Sequence, residues 1–142
     1  MPNLTNDQVL TMYFQSCLNI PYKWGGNNPI QGYDCSGFVQ EALATINLDP
    51  IGDQTSHSLY DIFKHSTEGT LVKKANFGHL LFFGERKKIR HVAIALNAHT
   101  MIESGGGGSR VTSHNDAIEH NAFVRIRPIL RRNDLVAIIK IY

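Results

Sequence analysis

The spacing of apolar residues changes period about halfway along the chain. In "TNDQVLTMYFQSCLNIP" the residues Val9, Leu10, Tyr13, Phe14, Cys17 and Leu18 recur every three or four positions, which is the stripe of an amphipathic helix. Thr5 and Gln8 stand at capping-box spacing before it, and Pro21 stops it. Cys17 lies on the apolar face, where a free cysteine packs as a small hydrophobe. A second stripe, Phe38, Val39, Ala42, Leu43 and Ile46, predicts a helix with Asp34 as its N-cap. Leu59, Ile62 and Phe63 predict a third from Ser58 to His65. The glycine- and proline-rich "YKWGGNNPIQGYD" and the polar "DPIGDQTSHS" read as loops.

Beyond residue 75 the apolar runs are short and rich in β-branched and aromatic residues. "HLLFF", "HVAIAL", "TMIES", "FVRIR" and "LVAIIKIY" each read as a strand, separated by glycine, asparagine or charged clusters. Helices followed by consecutive strands predict an α+β fold with an antiparallel sheet. The run Gly105 to Gly108 has apolar segments on both sides, so it reads as a flexible loop inside the domain. It lacks the Lys-Ser/Thr pair of a phosphate-binding loop.

Size and charge narrow the picture. A chain of 142 residues suits one domain spanning 1–142. Apolar residues make up 42% and charged residues 18%, a globular composition. The net charge of +2 is too small to point to nucleic acid, and "ERKKIR" and "RIRPILRR" read as solvated loops and strand faces. No run approaches the ~20 apolar residues of a membrane span, and the N-terminus lacks a basic, then apolar, leader. The expectation is a soluble protein made in a cytoplasm, with no nucleic-acid or membrane partner. The sequence has no C-x-x-C, H-E-x-x-H or related spacing, so neither a metal nor another cofactor is expected. Two cysteines, Cys17 and Cys35, do not make a disulfide framework.

Cys35, in "GYDCSGFVQ", is the candidate for chemistry. It falls in the first turn of the second predicted helix, after a glycine-rich loop, where the helix dipole and unpaired N–H groups favour an anion. The local sequence leaves two readings, a reactive thiol or a small packed side chain. A nucleophilic cysteine needs a base. Of seven histidines, His91 directly precedes the strand-like "VAIAL"; its other reading is an exposed residue after "ERKKIR". Glu103 lies twelve positions later, so a hairpin turning at Asn97 to His99 can set the two side by side. Otherwise Glu103 is a solvated carboxylate at a strand end.

"PYKWGG", "GYDCSGFVQEAL", "FGHLLFF" and "RHVAIALNAHTMIES" together resemble the NlpC/P60 family of cysteine peptidases, with the match running from about Pro21 to Ser104. The resemblance implies a compact papain-like fold, with the cysteine on a helix packed against a small sheet. It implies hydrolysis of peptidoglycan stem peptides or muropeptides, typically between γ-D-glutamate and a diamino acid. Cys35 would be the nucleophile and His91 the base. The third catalytic position, commonly His, Asn or Gln, falls on Glu103. Tyr22 matches a tyrosine that lines the active site and assists the oxyanion. Asp34 and Ser36 match contacts to the substrate's amine end, and Ser56 resembles another serine of the cleft. His79 stands where the family carries a structural Asp. Free-standing domains of this kind occur in bacteriophage particles, which gives an expectation of phage origin. Two rival functions remain: a silent wall-binding or structural module, and a thiol amidase or acyltransferase on another substrate.

Overall fold

The computed structural model describes residues 3–142; Met1 and Pro2, part of the expected 1–142 domain and of the N-terminal reading, lie outside the described residues. Helix α1 spans Asn6–Cys17 and begins with the predicted capping box. The Thr5 hydroxyl accepts from the Gln8 N–H at 3.2 Å, and Gln8 Oε1 accepts from the Thr5 N–H at 2.9 Å. Leu10, Phe14 and Cys17 are its buried residues. Next come a two-residue ribbon, β1 (Asn27–Asn28) with β2 (Gly32–Tyr33), and helix α2, Cys35–Ala44. Helix α3 spans Ser56–His65. It starts two residues earlier than its apolar stripe suggests, because Thr55 and Ser58 form a capping box of their own ahead of the first apolar position.

The expected antiparallel sheet has six strands: β3 (Thr70–Val72), β4 (Leu80–Glu85), β5 (Lys88–Ala95), β6 (Thr100–Gly105), β7 (Phe123–Pro128) and β8 (Leu135–Lys140). Their order is β3-β8-β4-β5-β6-β7, every neighbour antiparallel. Two elements carry no legible period. β3 has three residues on the sheet's edge, and α4 (His114–Glu119) is a six-residue helix with only Ala117 buried. The strand series is therefore interrupted by α4, between β6 and β7.

Alternation along β5 loads both faces of the sheet. Val92 and Ile94 join Phe14 of α1, Phe38, Val39 and Leu43 of α2 and Leu59 and Phe63 of α3 in the larger core. Ala93 and Ala95 turn the other way and join Leu81, Phe83, Met101 and Ile129 in a second cluster. The β5–β6 ladder is confined to Ile94↔Ile102 and Ala95↔Met101. Past its end, the Ser104 hydroxyl donates to the Tyr33 carbonyl at 2.7 Å, tying β6 to the segment that enters α2. Among the described residues, no helix is long and apolar enough to cross a membrane.

Candidate active site

Asp34 builds the start of α2. Its Oδ1 accepts from the Gly37 N–H at 2.7 Å and the Ser36 hydroxyl at 3.2 Å, while its Oδ2 accepts from the Gly25 N–H at 3.1 Å. Burial pushes this carboxyl up, and the three hydrogen bonds pull it back. A Cβ on Gly37 would sit 2.2 Å from the Gly26 carbonyl oxygen, so only glycine lets the loop backbone run this close to the helix. Cys35 becomes the first helical residue, half-buried and free. The Gly37 and Phe38 N–H groups are satisfied by Asp34. Those of Cys35 and Ser36 have no protein partner among the described residues, so they are available to an anion beside the thiol.

His91 on β5 is 7% exposed, and Glu103 on β6 is 4% exposed. These values remove the solvated readings of both. The imidazole lies against Phe83, ring centroids 5.7 Å apart, and its Nε2 meets Glu103 Oε1 at 2.6 Å. That leaves Nδ1 without a hydrogen-bond partner among the described residues, in the cleft that the Cys35 thiol also lines. Burial works against a charged imidazole; Cys35 and Glu103 overcome it and push His91 up to about 9. Burial likewise works against the Glu103 carboxylate, but His91, Arg127 and Arg131 hold it below its ordinary range.

Arg127 is a residue that the sequence does not announce. "RIRPILRR" reads as a solvated face, yet Arg127 is 6% exposed and donates to Glu103 Oε2 at 3.3 Å. The strand places it inward, across from the buried Met101; alternation within "FVRIR" sets both arginines opposite Val124 and Ile126 and so gives no signal for it. Gln40 is equally unannounced, a polar residue among apolar ones in α2. Its side chain donates to Asp49 Oδ1 at 3.1 Å and the Gly52 carbonyl at 2.9 Å, and accepts from the Gln54 N–H at 2.8 Å. It thereby fixes the loop that leads to Thr55 and Ser56.

These elements enclose a cleft of about 540 Å³. Tyr22, Asp34, Cys35, Ser36, Ser56, His91 and Glu103 all line it, so the structure brings every sequence-predicted site residue together. Tyr22 is 5% exposed, with burial and then the nearby Cys35 raising its phenol. The Ser56 hydroxyl donates to the Ile89 carbonyl at 3.4 Å. His79 is elsewhere; its Nδ1 accepts from the Asn76 N–H at 3.1 Å and closes the turn before β4. Trp24, Arg90, Arg131 and Arg132 add an aromatic face and three cations. Arg132 is paired with Asp134 through two 2.9 Å bonds, whereas exposed Arg90 and Arg131 have no ion-pair partner among the described residues.

The glycine run, read from sequence as a loop inside the domain, lines the cleft. Gly105 closes β6, and a Cβ there would lie 2.7 Å from Glu103 Oε2. Gly106 has φ +85°, and a Cβ on Gly107 would lie 2.3 Å from the Tyr22 ring. Around Gly108 there is open space.

The NlpC/P60 family model matches residues 19–128, which include all of the sequence-predicted site residues. The bifunctional muramidase/DL-endopeptidase CwlT of Bacillus subtilis (strain 168) is 38% identical over 92 residues, covering 62% of this chain and 26% of that protein. The chain spans between 17% and 37% of the curated relatives it matches. Among solved structures, the NlpC/p60 domain of the peptidoglycan hydrolase SagA superposes with a TM-score of 0.69 at 23% identity, covering 96% of this chain and 99% of that one. RipD of Mycobacterium tuberculosis, a non-catalytic NlpC/p60 domain protein adapted to peptidoglycan binding, gives 0.70 at 21% identity, covering 97% and 98%. With the "DCSGF" helix start and the His91 strand both inside the matched span, the chain belongs to the NlpC/P60 family.

Proposed function

We propose that this protein is a cysteine peptidase that hydrolyses peptidoglycan stem peptides at the amide between γ-D-glutamate and the diamino acid. One observation carries the chemistry: a free thiol at a helix start lines the same cleft as a buried imidazole held at 2.6 Å by a carboxylate. In this reading the proton rests on His91 and Cys35 Sγ attacks the amide carbonyl. The unpaired N–H groups of Cys35 and Ser36, with Tyr22 beside them, hold the developing oxyanion. His91 gives its proton to the departing amine and then takes one from water, which releases the acyl group. Glu103 keeps the ring turned throughout. Arg90 and Arg131 suit the carboxylates of an acidic peptide. CwlT, named a DL-endopeptidase, supports the choice of bond.

A wall-binding module without catalysis is the second reading, because RipD shares the fold. The intact thiol–imidazole–carboxylate set favours hydrolysis over it. Mass spectrometry of muropeptides after incubation separates the readings. Cleavage by the wild type, absent in Cys35→Ala, supports the peptidase, and transfer to an added amine would reveal an acyltransferase. Binding without product in the wild type, or cleavage that persists in Cys35→Ala, would overturn the proposal.

A further inference from the structure

The Glu103 carboxylate is shared between two partners. Oε1 meets His91 Nε2 at 2.6 Å, and Oε2 meets Arg127 at 3.3 Å. Arg127 is anchored as well as charged. The nitrogen that meets Glu103 also donates to the Phe123 carbonyl, and its other terminal nitrogen donates to the Asn121 carbonyl, both at 3.3 Å. A guanidinium buried to 6% exposure is thus fixed behind a carboxylate buried to 4%.

Orienting an imidazole requires only an acceptor for its N–H, which a neutral amide supplies. A full negative charge does more, because it also holds the imidazolium proton. In the proposed hydrolysis His91 must release that proton to the leaving amine. A buried, uncompensated carboxylate at 2.6 Å would keep it.

We propose that Arg127 is a positioning residue that offsets the charge of Glu103, so that His91, Glu103 and Arg127 form a chain of alternating charge in which Glu103 orients His91 without trapping its proton. The catalytic consequence rests on the peptidase reading above; the electrostatic one does not. The surrounding charges stay constant across the comparison: Asp34 capping α2, Arg90 on β5, Arg125 on β7, and Arg131 and the Arg132–Asp134 pair after β7. Arg125 is occupied by Asn19, and Arg132 and Asp134 satisfy each other. Arg131 acts on Glu103 from the exposed side of the cleft and cannot replace a buried, anchored cation.

The test titrates His91 by NMR of isotope-labelled histidine in wild type, R127M, R127K, E103Q and E103Q/R127M. The pH profile of Cys35 alkylation by iodoacetamide, located by peptide mass, is the second readout. Neither needs a substrate, so failure of the peptidase reading and failure of this one are distinguishable. R127M is expected to raise the His91 titration by roughly one unit and R127K to leave it near wild type. E103Q is expected to lower it, since the bare guanidinium then repels the imidazolium, and E103Q/R127M to lie above E103Q. Turnover of muropeptides should change sign with background. With Glu103 in place, losing Arg127 should cut kcat about tenfold at unchanged KM; in the E103Q background the same loss should restore activity.

An unshifted His91 in R127M, or an R127K shift as large as that of R127M, would overturn the proposal. So would an Arg127 loss that is equally harmful in both backgrounds, since a purely structural arginine gives that result. If R127M alone does not fold, E103Q against E103Q/R127M decides, because the double variant removes the Glu103 and Arg127 charges together.

Discussion

Replacing Gly105 with alanine adds one methyl at a point where the structure defines its consequence. The new Cβ would lie 2.7 Å from Glu103 Oε2, 2.9 Å from its carboxyl carbon and 3.3 Å from Oε1. Gly105 is a β6 residue without a positive φ, so the backbone accepts alanine and the effect is steric alone. Relief to an ordinary contact of about 3.4 Å requires the carboxylate to retreat by roughly 0.7 Å. The carboxylate cannot retreat freely, because His91 holds it at 2.6 Å and Arg127 at 3.3 Å. A retreat of that size stretches the His91 contact beyond about 3 Å, past the usual hydrogen-bond optimum, or rotates the ring away from Cys35. A misplacement of about 1 Å costs on the order of 100-fold in rate, so a loss of roughly 10- to 100-fold in kcat is expected. The stability cost should be about 1–2 kcal/mol, as for overpacking at a site that yields partly. Gly108→Ala is the control, since its Cβ would meet nothing within 4 Å and its φ is not positive. The assay is kcat on a purified muropeptide together with urea unfolding for both variants. Gly105→Ala with wild-type kcat, or Gly108→Ala with an equal loss, would refute the claim that this glycine exists to seat Glu103.

Other consequences can be measured alongside. His91 is raised toward about 9, so the stability it contributes should be fully present below about pH 6.5 and lost as pH rises through its folded value. Thermal unfolding against pH in Cys35→Ala isolates the Glu103 share, and adding Glu103→Gln should flatten the profile. Gln40→Ala removes three hydrogen bonds from a 7% exposed side chain. It should lower unfolding stability by about 2–3 kcal/mol and increase hydrogen exchange in 49–54 first. Arg131→Gln should reduce kcat/KM about tenfold for a stem peptide with a free carboxylate and leave the amidated analogue nearly unchanged, as read by competition between the two.

Much of the fold is legible because capping and period agree along the chain. Thr5 with Gln8, and Asp34 before the Phe38 stripe, mark helix starts with local hydrogen bonds that need no tertiary context. The approach of Glu103 to His91 is legible because a short hairpin turn sets the distance between strand positions. β3 and α4 are not, because three and six residues are too few to show a period, and their order comes from packing. Arg127 is hidden for another reason. A charged residue in a basic cluster reads as surface unless its buried partner is known, and that partner lies 24 positions earlier. The glycine run illustrates the same gap. Composition reads it as flexible, while Gly105 and Gly107 are set by the neighbours that a methyl would strike.

The two faces of the sheet give the site a divided dependence. The thiol rides on α2, seated in the core shared by Phe38, Val39, Val92 and Ile102. The imidazole belongs to the other face, resting on Phe83 beside Ala93. Thiol and imidazole are therefore moored to different apolar assemblies, with one sheet as the common wall. Their alignment is stored in contacts that never see substrate. Turnover becomes a gauge of core registry: trimming Val92 or Ile102 should disturb the meeting of sulfur and nitrogen before it unfolds the domain. Such a chain can fall silent through drift in its interior while every residue of its cleft stays in place.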